Sequence, residues 1–450
     1  MKKGLVMVMV IVLVLGTLVA CAQPAQTPAD TGSSSTAGES TGGSDQPATP
    51  LSEDRGTLNI GVISSISGTG SSIGAGQRKA ALMAIDEINA NGGVTFGGQT
   101  YDFVGIPVDD ETQPEVAIRR VNEMKREQNV TLTMGGSLGN ISTALNRESV
   151  DNSFFFMASN GIPEVFFKED EHSTTAFCIT IITEFVGRGA CSWMIEQAGA
   201  KKIACLMPDY SIGQGTMYGF ESMFEELKAE YPDVTYEAVW HPVGTADLSP
   251  YIIQCRDMKP DFIFIGSWAD DAITALKQCN EMGIKDQMDI LHFWLMDEFA
   301  QGIPAEAIAG VYGQMMWYHD MTGFRDDAVV QETRRLSDMY FNRYGETMGP
   351  YAMSSYYAIY EFKRGLEIGG STDPVDFRNA ILSQPQFFTA KGYATWQEAG
   401  IPLYDYSAWI VQGLGVEDRE GTVYGRYHDF AKIVYEVPTD RFVPAGRFKS

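Results

Sequence analysis

Thr57-Leu58-Asn59-Ile60-Gly61-Val62-Ile63, a loop of small residues, and then Ile73 to Asn89 form the stretch on which the fold turns. The first run is short, continuous and apolar, as a strand buried on both faces should be. The second places Ala80, Ala81, Ala84, Ile85 and Ile88 at helical spacing, so it reads as a helix with one apolar side. Working outward, Tyr101–Val108 repeats the strand, and Pro114–Glu127 repeats the helix with Pro in its first turn. Strands over Val130–Met134 and Ser153–Met157 flank a short helix near Ile141–Val150. The rhythm then restarts with strand Ala176–Ile182, helix Glu184–Ala198, strand Lys202–Met207 and helix Gly213–Glu230. Strand Val234–Trp240, a helix near Leu248–Met258, strand Asp261–Ile265, helix Asp270–Met282 and strand Asp289–Trp294 follow. Such alternation predicts α/β architecture, with mostly parallel sheets covered by helices on both faces, and two such runs predict two lobes. From about Gly323 the chain reads first as helical, then as strand over Tyr406–Val411 and Phe430–Val437.

Upstream of this body, Lys2 and Lys3 precede an apolar run from Leu5 to Leu15 that closes with Leu18-Val19-Ala20-Cys21. A short basic start, an apolar core and small residues before a cut make an export signal. The run is near the lower length limit for a membrane span, which sets a transmembrane anchor aside. The last four residues resemble the bacterial lipoprotein signal, in which the Cys is acylated and becomes the mature N-terminus. That resemblance implies removal of residues 1–20 and a lipid on Cys21. Residues 21–56 are rich in Ser, Thr, Gly, Pro, Ala and Gln, with Leu51 the only large apolar side chain. They should form a disordered tether with a reach on the order of 30 Å. The expected location is extracytoplasmic, lipid-anchored to the cell membrane.

The body, Thr57 to Ser450, is long enough for two domains. Hydrophobic residues make up 44% and charged residues 20% of the chain, and no second apolar run reaches membrane length. The net charge of −25 becomes −27 without Lys2 and Lys3, which disfavours nucleic acid as a partner, because phosphate binding needs clustered Lys and Arg. Beyond Cys21 the cysteines are Cys178, Cys191, Cys205, Cys255 and Cys279. None forms a CxxC pair or has a His at zinc-like spacing, so no metal site is expected, and an exported protein has little access to NAD, so no cofactor is expected either. The number of these cysteines is odd, and no disulfide is predicted.

In open α/β sheets ligands sit beyond the carboxyl ends of the strands, so function should be read in the loops there. Ser64 to Gly74, Gly135-Gly136-Ser137-Leu138-Gly139-Asn140 and Ala158-Ser159-Asn160-Gly161 are three such loops, all small and hydroxyl-rich, each leading to a helix start. Free N–H groups at a helix start favour an anion, so converging loops of this kind could grip a carboxylate without Arg or Lys. Within the first loop Gly70-Ser71-Ser72-Ile73-Gly74 matches the nucleophile-elbow pattern, which raises an exported serine hydrolase using Ser72. An elbow needs a sharp turn straight from strand to helix, whereas about six residues intervene here, and His172, His241, His292, His319 and His428 offer no placed partner. The spacing of Gly68, Gly70 and Gly74 is not that of a dinucleotide-binding turn either.

Several segments carry a family resemblance. They are Leu58-Asn59-Ile60-Gly61-Val62, the run from Ala84 to Val94 with its Ile88-Asn89-Ala90-Asn91-Gly92-Gly93, and Val108-Asp109-Asp110-Glu111-Thr112-Gln113-Pro114. Pro163-Glu164, Asp209 to Gly215, and Ala275 to Ile284 add to them. Over Thr57 to about Leu414 the chain resembles the substrate-binding lipoproteins of ABC transporters, of the branched-chain amino acid (leucine/isoleucine/valine-binding) type. The resemblance implies a two-lobed clamshell of the type I periplasmic-binding-protein class, crossed three times by the chain, near Ile179–Thr183, Gly313–Tyr318 and Tyr393–Trp396. One lobe would comprise 57–180 plus 316–394, the other 181–315 plus 395–450. Hinge closure on a small ligand would present the closed form to a membrane permease, without catalysis and as a monomer.

Ligand contacts carried over from the resemblance fall on Ser137, Gly139 and Asn140, on Ser159, Asn160 and Gly161, and on Ile73 where the family has a large aromatic. Ile212 replaces an expected Tyr with Tyr210 close by, and Trp268 would cover the ligand from the second lobe. The acid that receives a ligand ammonium should lie within His292–Glu298, where Asp297 is the nearest. If Asp297 does not reach the pocket, an aromatic or aliphatic carboxylate, or an amide, becomes the better ligand, since an unpaired buried ammonium costs several kcal/mol.

Overall fold

A computed structural model describes residues 50–160, 172–180, 182–268 and 270–446. The signal segment, Cys21, most of the tether and Gly161 lie outside the described residues. The tether ends earlier than its composition suggests. The Ser52 backbone N–H donates to Asp102 Oδ2 at 2.7 Å, and Arg55 pairs with Asp102 Oδ1 at 3.0 Å, so these residues dock on a buried carboxylate ahead of the first strand.

The first sheet has the order β2-β3-β1-β4-β5-β6, built from β1 (Gly56–Ser64), β2 (Val94–Phe96), β3 (Gln99–Asp109), β4 (Leu132–Gly135), β5 (Phe155–Ala158) and β6 (Ala176–Cys178). All its pairings are parallel except the β2–β3 hairpin. Helices α1 (Ser71–Ala90), α2 (Pro114–Gln128) and α3 (Gly139–Glu148) connect the strands. Ile60, Val62 and Ile63 are fully buried, and α1 turns Ala80, Ala81, Ala84, Ile85 and Ile88 inward as its periodicity predicts.

The second sheet has the order β16-β15-β11-β10-β9-β7-β8. Its parallel part is β7 (Lys202–Pro208), β8 (Thr235–His241), β9 (Phe262–Ile265), β10 (Asp289–His292) and β11 (Tyr312–Met315). Helix α4 (Thr183–Ser192), which continues into a π turn over Trp193–Gln197, leads into β7, and between the strands run α5 (Ser211–Leu227), α6 (Ser249–Asp257), α7 (Asp270–Glu281), α8 (Asp297–Ala300) and α9 (Ala305–Ile308). The chain then returns to the first lobe, where α10 (Asp327–Tyr344), α11 (Pro350–Gly369) and α12 (Pro374–Ser383) follow, with α11 lying along α1. A three-stranded antiparallel sheet joins β12 (Gln386–Thr389), β13 (Gly392–Trp396) and β14 (Pro402–Tyr404). Strands β15 (Ala408–Gly413) and β16 (Ala431–Val437) complete the second sheet in antiparallel fashion, and a short α13 (Thr439–Phe442) follows.

Passage between the sheets therefore occurs three times. The first lies between β6 and α4 and the second after β11. The third does not fall at Tyr393–Trp396, nor a lobe boundary at 394. Those residues form β13, whose Trp396 stacks on Phe387 at 5.3 Å, meets Phe177 at 5.0 Å and donates Nε1–H to Glu361 at 2.6 Å. An aromatic strand so buried is held to the first lobe, and the chain leaves for β15 only after Tyr404.

Candidate functional site

Both sheets reverse their strand order beside their first strand. In the first, β3 lies on one side of β1 and β4 on the other; in the second, β8 and β9 flank β7 in the same way. Loops leaving the two flanking strands diverge at such a point and open a crevice. The loops after β1 and β4 and those after β7 and β9 meet here around a cavity of about 450 Å³. That volume is within the ~300–1,000 Å³ usual for small-ligand sites.

The first lobe contributes Thr69, Leu138, Gly139, Asn140, Asn160 and Tyr351 to the wall. Gly135 and Gly136, at φ +136° and +79°, make the turn that delivers Leu138 to Asn140 there. A side chain at Gly135 would run into the Ile63 carbonyl, so only glycine lets β4 end so close to β1. The first loop is braced from below. Asp109 accepts the N–H groups of Ile66 (2.9 Å) and Ser67 (3.3 Å) and the Ser67 hydroxyl (2.7 Å), while Thr112 Oγ1 donates to the Ser67 carbonyl. Partial burial would raise the Asp109 carboxyl, but these N–H and O–H donors together with that of Glu111 hold it below its ordinary value. The Asp109-Asp110-Thr112 signature is thus a scaffold for the loop.

From the second lobe come Thr183 and Val186 of α4, Tyr210 to Ile212 at the start of α5, Val243 and Gly244 beyond β8, and Trp268, Asp270 and Asp271 around the start of α7. Phe293 and Trp294 close the floor beyond β10. Trp268 reaches across the cleft to Tyr351, with ring centroids 6.0 Å apart at 67°. Trp268 also meets Phe293 at 5.9 Å. Asp271 accepts the Gly244 N–H on both oxygens, at 3.1 and 3.0 Å. The Tyr210 hydroxyl is pushed well above its ordinary value by burial first and by the nearby Asp271 second. Among the described residues of the wall there is no Arg, Lys or His, and two carboxylates stand at one end.

Of the positions expected from sequence, Gly139, Asn140, Asn160, Tyr210, Ile212 and Trp268 line this cavity. Ile73, Ser137, Ser159 and Asp297 do not. Ile73 is in the core of the first lobe. Ser137 is a buried brace that donates to Gln77 Oε1 at 2.7 Å and accepts the Ser65 N–H at 2.9 Å. Ser159 accepts from Gln77 and from Ser355, each at 2.9 Å. Asp297 turns away to His319, whose Nδ1 lies 2.5 Å from Asp297 Oδ1 and whose Nε2 lies 2.7 Å from Asp429 Oδ1. Burial opposes charge on His319, but Asp297 and Asp429 outweigh it and raise the imidazole to about 9. Asp297 thus serves a buried ion triad, with no reach to a ligand. Ser72 is exposed in the first turn of α1 and is not part of the wall.

Asp270, Asp271 and Tyr351 are among the wall residues that sequence reasoning missed. A signal for the two acids existed: they open the helix directly after a strand, the position where an α/β sheet presents side chains to a ligand. Tyr351 carried no such signal, because it comes from a helix distant in sequence.

Two α/β lobes joined by three chain passages, with a cavity between their switch points, define a clamshell receptor for small ligands. The chain belongs to the periplasmic binding protein family, whose model matches residues 57–407. It is 22% identical over 347 residues to the Leu/Ile/Val-binding protein homolog 1 of Brucella abortus, covering 76% of this chain and 87% of that protein. The fold is shared with the branched-chain amino acid transporter substrate binding protein LivJ from Streptococcus pneumoniae in complex with isoleucine. That match has a TM-score of 0.69 and 16% identity, covering 84% of this chain and 99% of that one. A solute binding protein from R. palustris in complex with benzoate has the same fold, with a TM-score of 0.67 and 16% identity over 85% of this chain and 96% of that one.

Proposed function

We propose that this chain is the extracytoplasmic ligand-capturing component of an ABC importer, taking a branched-chain or related amino acid between its lobes and handing it to a membrane permease. The observation that carries the reading is the shared wall: a cavity lined from both lobes gains contacts only as the lobes close, so a ligand there selects the closed form. Names of relatives support the ligand class, and the neighbour solved with isoleucine fits it. Lobe one is residues 57–180 plus 316–404, lobe two 181–315 plus 405–446, and the lipid on Cys21 holds this monomeric receptor near its permease. No step of this role makes or breaks a covalent bond.

Titration calorimetry on the full chain with leucine, isoleucine and valine, paired with small-angle scattering, tests the proposal. One site per chain and a smaller radius of gyration on saturation are expected. Saturable binding with unchanged dimensions, or ester hydrolysis that disappears in Ser72→Ala, overturns it.

A further inference from the structure

Gln77 occupies a place on α1 that helical spacing reserves for an apolar side chain. It lies one turn after Ile73 and one turn before Ala80 and Ala81, all of them inward-facing, and it is fully buried. We propose that Gln77 is the positioning residue of the ligand wall on the first lobe, its carboxamide holding the loops after β4 and β5 in register with each other and with α11. This rests on the reading of the interlobe cavity as the ligand site.

Gln77 is not part of the wall and acts through two serines. Ser137 donates to Gln77 Oε1 at 2.7 Å, and Gln77 Nε2 donates to Ser159 at 2.9 Å. Each serine directly precedes residues that face the cavity, Leu138 to Asn140 in one loop and Asn160 in the other. The two loops also meet directly, because Asn160 Nδ2 donates to the Ser137 carbonyl. From Ser137 the connection runs to the first loop, whose Ser65 N–H donates to Ser137 Oγ at 2.9 Å. From Ser159 it runs to α11, where Ser355 Oγ lies 2.9 Å from Ser159 Oγ and 2.9 Å from the carbonyl of Tyr351, itself a wall residue. Ser65, Ser137, Ser159 and Ser355 are all fully buried, so bulk water does not replace a lost partner. An apolar side chain would fill the same place at a lower desolvation cost. What the amide adds is an acceptor and a donor on one rigid plane, which fixes the separation and direction of the two loops it joins.

Gln77→Met keeps the length of the side chain and removes both hydrogen bonds. Hydrogen exchange on the full, unliganded chain should quicken in the loops after β4 and β5 of this variant, with β3 and α2 unchanged. Leucine should bind roughly tenfold more weakly by calorimetry. Affinity measured far below the melting temperature reports folded molecules alone, so lost stability by itself leaves it unchanged. Because Gln77 acts through Ser137, combining Gln77→Met with Ser137→Ala should weaken leucine by less than the product of the two single losses. Unchanged loop exchange, exchange that rises evenly across the lobe, unchanged leucine affinity or losses that multiply each overturn the proposal, and in none of these results does the clamshell reading fall. If the unmodified chain binds none of leucine, isoleucine and valine, the amino-acid reading fails, and loop exchange alone then supports or overturns the role of Gln77.

Discussion

Gly349 leaves no room for a methyl group. A Cβ built there would overlap the carboxylate of Glu298, whose oxygens are buried against the start of α11. Gly349→Ala must push Glu298 aside, and since the atoms it meets are the far end of a flexible side chain, the cost falls at the low end of the about 1–3 kcal/mol of overpacking. Urea unfolding should report that loss, and a midpoint equal to wild type would refute the contact. Neither partner of this pair is conspicuous in the sequence, because 51 positions separate them. The same limit explains the candidate site. Residues that follow a strand could be recognised, and Asn140, Asn160, Tyr210 and Trp268 do line the cavity. Whether a loop residue faces the cleft or its own lobe depends on a turn of one residue, which sends Ser137 to Gln77 while Leu138 to Asn140 reach the wall. The choice of acid failed for a related reason. Asp297 lies in the expected window, but the His319 and Asp429 that claim it arrive from 22 and 132 positions away.

At the scale of elements, segments within the strand–helix alternation were legible and the short strands outside it were not. The helices α1, α2, α5 and α7 and the strands between them follow from apolar spacing, because each must cover a sheet and has enough turns to show it. Strands β11, β12, β13 and β14, of three to five residues each, have no periodic helix on each side to mark them, and β2 is a three-residue arm of a hairpin. The start of α12 rests on a cap. Asp373 accepts the N–H groups of Val375 (2.9 Å) and Asp376 (3.1 Å), and Pro374 takes the first helical position of α12. Helix α12 packs against α11 and β5, with Phe377 4.7 Å from Phe155, so its start is coupled to the first lobe's core. Asp373→Ala should cost about 0.5–2 kcal/mol, read as a lower urea midpoint with an unchanged slope. Asp373→Ser should recover most of it, since a hydroxyl caps nearly as well. If serine and alanine behave alike, the side-chain cap contributes nothing.

For the whole molecule, the contacts that cross between lobes decide how closure responds to solution conditions. Glu298 extends from α8, which follows a strand of the second sheet, to the first turn of α11 on the first lobe. Burial first, and the charges of Asp297 and Glu346 after it, raise the Glu298 carboxyl to about 8 despite the N–H groups of Tyr351 and of Glu298 itself. Tyr340 also faces this carboxyl, its hydroxyl raised by burial and then by neighbouring acids. A carboxyl that titrates higher in the folded chain than in the unfolded one binds more protons when folded. Its stabilising contribution is therefore complete below the ordinary carboxyl value of 4.5 and is lost as pH rises to about 8. Glu298→Gln fixes the neutral form at every pH and should remove this term. The melting temperature of Glu298→Gln minus that of wild type should then climb steadily between pH 4.5 and 8 and level off above it. His319 also titrates high but is present in both proteins, so it cancels in the difference. Because the contact joins the lobes, leucine affinity should follow the same course, with wild type weakening relative to the variant toward pH 8. A difference in melting temperature that stays constant across this range would show that Glu298 keeps one protonation state throughout.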